Sequence, residues 1–365
     1  MQVWYGPEQV PRSLSDPQGP GSVVTIGVFD GVHRGHQAIL EAVVARAHCA
    51  HRTHPAKRGS QANQASQAKR SHRSHRSAAA GERPWAVAMT FDPHPALVHR
   101  PQSCPPLITS LTDRLASLEQ AGLDAVLVVE YTLDFASQGA EEFIRTWVEG
   151  LLGAHVVVVG DDVRFGAGNR GDAQRLQQIG QADGLEVEIV ADVTAPNGRR
   201  WSSTWVRALL QEGDVRGAAA VLGRPHRLRG MVVHGLRRGR ELGFPTANLQ
   251  AASAGVVPPD GVYTGWLLRA VEGGWERLPA AISIGTNPTF DDVPERTVEA
   301  HVLGRADLDL YGQEVAIELV DRLRPMLAFT GLEPLLEQMR EDVERSAQML
   351  GVPVPEPINP DDVTA

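Results

Sequence analysis

Four short valine-rich runs constrain this chain most: VVTIGVF (Val23 to Phe29), WAVAMTF (Trp85 to Phe91), AVLVVEY (Ala125 to Tyr131) and HVVVVG (His155 to Gly160). A strand with one wet face alternates apolar and polar residues, whereas a strand covered on both faces does not. These runs barely alternate. Helical patterns separate them: one follows Ser110, where SLTD has the form of a capping box with Asp in the Glu place, and another spans about Gln138 to Leu152. Strands buried on both faces and alternating with helices predict a doubly wound, parallel α/β sheet.

After Leu222 the texture changes. Glycine and proline become frequent in GRPHRLRG, HGLRRGRELGFP, VVPPDGVY and IGTNPTF, with short β-favouring runs such as GVYTGWLL and QEVAIELV between them. This predicts a small antiparallel barrel or sandwich. An amphipathic helix from about Gly331 to Leu350 follows, with Leu332, Leu335, Leu336, Met339 and Val343 on one face. The expected organisation is an α/β module over residues 1–215, a β module over 222–350 and a flexible Pro-rich tail over 351–365, in keeping with two domains for 365 residues.

Residues 49–83 fit neither pattern. They are rich in Ser, His, Arg, Gln and Ala, with a local SHRSHRS repeat and almost no large apolar side chain. Such a segment cannot bury enough surface to offset its ordering entropy, so a disordered insertion is expected. Metal binding or polyanion docking by its His and Arg residues is the alternative.

The formal net charge of −9 argues against a general nucleic-acid binder. Cys49 and Cys104 make neither a disulfide framework nor a cysteine-based zinc site. No secretory signal is visible, and no apolar run approaches the ~18 residues that span a bilayer, so no membrane partner is expected and the cytoplasm is the default.

Two constellations carry chemistry. The first, GVFDGVHRGH, follows a strand and precedes the helical pattern QAILEAVVARA. Gly27, Gly31 and Gly35 permit tight turns and close backbone approach, and a helix start offers N–H groups to a phosphate. His33 and His36, at H-x-x-H spacing, suit hydrogen bonding to phosphate oxygens as charge develops at phosphorus. Alone, such a pair reads as well as incidental or as half a metal site; its place between strand and helix favours a phosphate site. Downstream, WSSTWVRALL sets Ser202, Ser203 and Thr204 at a helix start, with Arg207 one turn in as a planar anion-binding fork.

The second constellation is HGLRRGRELGFPTANL. Gly235 and Gly239 with Arg237, Arg238 and Arg240 suit a flexible loop over phosphates. Pro245 fixes the chain, and Thr246 and Asn248 supply the hard neutral oxygens that Mg²⁺ accepts beside substrate phosphates. Glu299, mid-strand in TVEAHVL, is a carboxylate hard to justify by packing.

With TFDPHP, GDDVRFGAGNRGD and SSTWVRALLQEGDV, the first constellation resembles the FMN adenylyltransferase module of the prokaryotic bifunctional FAD synthetases, a branch of the HxGH nucleotidyltransferases. GRELGFPTANL, DLYG and LRPMLAF resemble riboflavin kinase, the second module of that family. The resemblance implies an enzyme that turns riboflavin and ATP into FMN, then FMN and ATP into FAD, with Mg²⁺. It implies that Gly27, Phe29, Asp30, Gly31, His33, His36, Asp162, Ser203, Thr204 and Arg207 bind or act on ATP in the first module. In the second it implies that Gly235, Arg240, Gly243, Pro245, Thr246, Asn248 and Glu299 bind ATP or flavin, Thr246 and Asn248 hold the metal, and Glu299 is the general base. Val163 stands where the pattern has an aromatic residue, and Gly304–Arg305 where it has an acidic–aromatic pair. The alternatives are an HxGH adenylyltransferase for another phosphorylated substrate and a non-catalytic flavin-binding protein on the same fold.

Overall fold

A computed structural model describes residues 1–49, 83–235, 238–250, 255–286, 296–360 and 363. Residues 50–82 of the expected insertion lie outside them, as do Arg237, Asn287 to Phe290 of IGTNPTF and the side chain of Arg238. The chain divides into two compact units. One comprises Met1–Val28, His36–Cys104 and Leu115–Asp192; the other comprises Phe29–Gly35, Pro105–Arg114 and Val193–Ala365.

The first unit is built on a parallel sheet of strands β1 (Gln2–Tyr5), β2 (Ser22–Ile26), β3 (Trp85–Asp92), β4 (Ala125–Glu130), β5 (Ala154–Gly160) and β6 (Glu186–Val190), in the order β1-β4-β3-β2-β5-β6. The four valine-rich runs supply its four central strands. Sequence reading missed β1 and β6, and both are edges. In β6, EVEIV alternates because an edge strand is only half covered, and its glutamates pair outward with Arg46.

Helices α1 (Arg34–Cys49), α2 (Pro95–His99), α3 (Leu111–Gln120), α4 (Leu133–Ala136), α5 (Ala140–Phe143) and α6 (Ala173–Asp183) come from the intervening segments. The helix expected over Gln138 to Leu152 is α-helical only at its start and widens into π-helical turns over Ile144–Leu151. The wider turns leave Phe143, Ile144, Val148 and Leu152 all in the core. Ser110 caps the helix as the expected box requires, its Oγ accepting from the Asp113 N–H at 3.0 Å; the Asp113 carboxylate returns to the Ser110 hydroxyl, at 2.8 Å.

Strand order reverses at β2: the chain steps from β2 to β3 and β4 on one side, then to β5 and β6 on the other. Open α/β sheets bind ligands at the carboxyl ends of strands beside such a switch. The segments leaving β2 and β5 there are GVFDGVHRGH and GDDVRFG.

The second unit contains a closed antiparallel barrel, which decides between the barrel and the sandwich. Its strands β7 (His226–Val233), β8 (Ala247–Leu249), β9 (Gly261–Val271), β10 (Gly274–Gly285), β11 (Thr297–Val302) and β12 (Glu314–Pro325) close in the order β10-β11-β8-β7-β12-β9. Helices α7 (Ser203–Glu212) and α8 (Val215–Leu222) share its core through Val206, Leu210, Val215 and Leu222. The short α9 (Arg238–Glu241) precedes β8, and α10 (Leu332–Leu350) follows β12. Among the described residues no helix is long and apolar enough to cross a membrane.

Asp113 is nearly buried at the foot of β7. Its carboxylate accepts from Arg227 at 2.8 Å and from Arg229 at 2.7 and 2.9 Å. Burial by itself would raise its pKa; the hydrogen bonds from Arg229 and Arg227 overcome that and hold it at about 2. A carboxylate depressed in the folded state contributes stability above its ordinary range of ~4, and that contribution is lost as pH falls toward 2. Asp113→Asn should therefore lower the unfolding free energy by about 3 kcal/mol at neutral pH, because two guanidinium groups lose their shared carboxylate and keep only Glu318 and Glu314. The deficit should shrink on acidification, as urea titrations at a series of pH values would show.

Candidate functional sites

The Gly-rich turn after β2 is held in an uncommon conformation. Phe29, Gly31 and Val32 have φ of 53°, 83° and 41°. Glycine adopts such angles freely, but a β-branched valine does so only when its surroundings dictate it. The surroundings do. The Asp30 carboxylate accepts from the Ile108 N–H at 3.0 Å and the Thr109 N–H at 3.1 Å, and Arg207 Nη2 donates to it at 2.5 Å. Thr109 Oγ1 accepts from the Gly31 N–H at 3.2 Å, and Ser203 Oγ donates to the Asp30 carbonyl at 2.8 Å. Phe29 is buried.

His33 directly precedes α1 and His36 lies in its first turn. His33 Nδ1 accepts from the Gly35 N–H at 3.2 Å, so its proton sits on Nε2 and that nitrogen is a donor. In the first unit, the Gly27 N–H donates to the Met89 carbonyl at 3.1 Å, fixing the exit from β2. Beside it, the loop leaving β5 folds back: a Cβ on Gly160 would meet Asp162 Oδ1 at 3.1 Å and Ile39 of α1 at 3.2 Å. Thus Gly27, His36 and Asp162 share the switch point.

Some expected phosphate groups serve the protein itself. Ser202 caps α7 by accepting from the Trp205 N–H, Ser203 holds the Asp30 carbonyl, and Thr204 is exposed. Arg207 spends Nε on the Pro106 carbonyl at 2.8 Å and Nη2 on Asp30. In TFDPHP, His94 caps α2 by accepting from the Ala96 N–H at 3.0 Å. Val163, in the aromatic place, packs against the core of the first unit.

In the barrel, the second constellation converges. Glu299 on β11 lies opposite Asn248 on β8 and Ser283 on β10. Thr246 Oγ1 donates to Glu299 Oε2 at 3.3 Å, Thr297 Oγ1 donates to Oε1 at 3.2 Å, and Asn248 Nδ2 lies 3.3 Å from Thr246 Oγ1. Burial raises the Glu299 pKa, and the two threonine hydroxyls partly counter it.

Gly235 is required by closeness, since a Cβ there would meet the Asn248 side chain at 2.7 Å. Gly243 sits at φ 81° with the Ile358 carbonyl against it, and Gly304 at φ 68° against Pro355. The glycine in the expected acidic place therefore leaves room for the segment after Leu350.

Two cavities meet at this cluster. A cavity of about 250 Å³ is lined by Glu299, Phe244, Leu327 and Phe329 and by one face of α10. A cavity of about 50 Å³ is lined by Arg240, Arg305, Tyr311 and Pro245. Gly235, Thr246 and Asn248 belong to both. The α10 face differs from expectation: Leu335, Met339 and Val343 line the larger cavity, while Leu332 is 50% exposed. Asp342 beside them takes Arg324 of β12 at 2.7 and 3.0 Å, tying the helix to the cavity rim.

Sequence reading missed His301, two residues beyond Glu299 and so on the same face of β11. It lines the larger cavity, and burial lowers its pKa. Its Nδ1 lies 2.8 Å from the Pro245 carbonyl and must carry the proton, leaving Nε2 as an acceptor.

Comparison with known proteins divides the chain in sequence order. Residues 15–55 and 72–205 match the family model described as FAD synthetase, and residues 222–350 match that described as riboflavin kinase. The bifunctional riboflavin kinase/FMN adenylyltransferase of Escherichia coli K12 is 32% identical over 94% of this chain and 97% of its own length. The chain belongs to this bifunctional family. The Pseudomonas fluorescens member is 33% identical over 94% of this chain and 98% of its own. A solved Streptococcus pneumoniae structure, named there a macrolide-efflux protein, superposes with a TM-score of 0.73 at 26% identity, covering 95% of this chain and 99% of that one.

A hydrogen bond to a carboxylate favours its charged form, so Thr246→Val should raise the Glu299 pKa further. Titration of the Glu299 carboxyl by ¹³C NMR in both proteins would read the change.

Proposed function

We propose that residues 222–350 phosphorylate riboflavin with ATP and that residues 1–215 adenylylate the resulting FMN with a second ATP, releasing pyrophosphate. Membership of the bifunctional family supports both steps. The observation that carries the kinase assignment is Glu299: a buried carboxylate, hydrogen-bonded to Thr246, on the wall of a cavity of about 250 Å³ beside a smaller, arginine-lined one.

In this reading the flavin occupies the larger cavity, where Phe244, Leu327 and Phe329 suit a flat aromatic ring system. Phosphates of ATP lie toward Arg240 in the smaller one. Glu299 takes the proton of the 5′-hydroxyl as that oxygen attacks the γ-phosphorus, and ADP leaves. The raised pKa fits a base. The Asn248 side-chain amide lies against Thr246 Oγ1 on the shared wall, with Nδ2 facing it; turned over, it would set Oδ1 beside Thr246 Oγ1 as hard neutral oxygens for Mg²⁺ that draws its other ligands from phosphates and water. Bound there, Mg²⁺ would neutralise phosphate charge.

In the first module, an FMN phosphate oxygen attacks the α-phosphorus of ATP and pyrophosphate leaves, so no residue needs to be covalently modified. Nε2–H of His33 donates to phosphate oxygen, with His36 and the start of α1 beside it. Asp162 belongs to the loop that closes on α1. We assign Arg207 and Ser203 to holding the turn as much as to meeting phosphate.

Glu299→Gln should reduce FMN formation from riboflavin by about 10²–10⁴-fold and leave conversion of supplied FMN to FAD within about twofold of the original protein. His36→Ala should do the reverse. Chromatography of riboflavin, FMN and FAD over time separates the outcomes, and a parallel loss of both steps in either folded variant would refute the two-site assignment. Because Glu299 must be charged to act, the acidic limb of the kinase pH–rate profile should lie above the ordinary carboxylate pKa of 4.5.

A further inference from the structure

Arg224 comes just after α8, within the stretch matched by the riboflavin kinase model, yet its hydrogen bonds go to the turn in the FAD synthetase stretch. Nη2 donates to the Gly31 carbonyl at 2.8 Å, and Nη1 donates to the carbonyls of Val32 at 3.3 Å and Leu222 at 3.4 Å. These acceptors include the two positive-φ residues immediately before His33. Arg224 lines neither barrel cavity. Burial, then the neighbouring Arg227, pull its pKa down to about 10, so it remains a cation at neutral pH.

A cation that donates to several backbone carbonyls at once fixes their directions, and with them the peptide planes that lead into His33. Asp30, Thr109 and Ser203 constrain the earlier part of the turn, at residues 30 and 31. At Val32, the strained residue, Arg224 Nη1 donates to the carbonyl.

We infer that Arg224 is a positioning residue for adenylyl transfer: by clamping the Gly31 and Val32 carbonyls, a residue of the kinase stretch sets His33 and the first turn of α1 for the nucleotide. The inference rests on the reading of His33 and His36 as ATP-handling groups. Its consequence is that a change in the kinase stretch, away from both kinase cavities, disables the other reaction.

The test uses the full chain with Arg224→Met, Arg224→Lys and Arg224→Ala, and measures each half-reaction separately. Arg224→Met should lower kcat for FAD formation from supplied FMN by roughly 10- to 100-fold, as a small misplacement of reacting groups does, with riboflavin phosphorylation within about twofold. Arg224→Lys should recover part of the loss, and methylguanidinium should stimulate FAD formation by Arg224→Ala but not by the original protein. If the original protein makes FAD and Arg224→Met makes it equally fast, the inference alone fails. If FAD formation, FMN formation and thermal stability decline together in all three variants without chemical rescue, Arg224 is merely structural and the inference also fails. If the original protein makes no FAD from FMN, the adenylyl-transfer reading fails and takes this inference with it.

Discussion

Asp30 carries the interaction on which the first site depends. Its carboxylate is buried, and a buried charge persists only when its acceptor capacity is filled. Two backbone amides, one guanidinium and the Thr109 hydroxyl donate to it. In return they impose a backbone path through Phe29, Gly31 and Val32 that the chain would not adopt alone. The arrangement also changes what Arg207 is for. A guanidinium offers five N–H groups, and Asp30 and the Pro106 carbonyl take two of them. Arg207 is first a support for the turn, and only what remains can face an anion.

The barrel solves a different problem. On the proposed assignment, Glu299 has to accept a proton near phosphates without being neutralised by a permanent cation. Burial raises the Glu299 pKa, while two hydroxyls hold both carboxylate oxygens in place. Neutral donors orient the group and cost it less basicity than an arginine would. The nearest arginines named around the cluster are placed otherwise: Arg240 and Arg305 line the smaller cavity, and Arg324 is paired with Asp342.

The parts legible in sequence were those whose signal is local. The central strands announced themselves through missing alternation, and Glu299 through a carboxylate where packing offers none. The edge strands β1 and β6 were not legible, because four or five half-covered residues carry too little pattern. His301 could have been found, since a polar residue two positions from Glu299 shares its strand face. Arg224 could not: its partner carbonyl lies 193 residues away, and GRP reads only as the end of a helix. The cap roles of Ser202 and His94 were visible as residue types, but whether a hydroxyl or imidazole serves phosphate or its own backbone is decided in three dimensions. The wall role of α10 had the same limit, since helical spacing marks an apolar stripe without saying whether a core or a ligand covers it.

The closed strand order of the barrel bears on how the protein behaves in a crowded solution. Among the described residues the six strands close into a ring, so the barrel has no edge strand of the kind that a foreign β-segment extends. The open sheet does have two rims. One is the four-residue β1, and the other is β6, whose Glu186 and Glu188 are engaged by Arg46. Brevity guards one rim and charge the other.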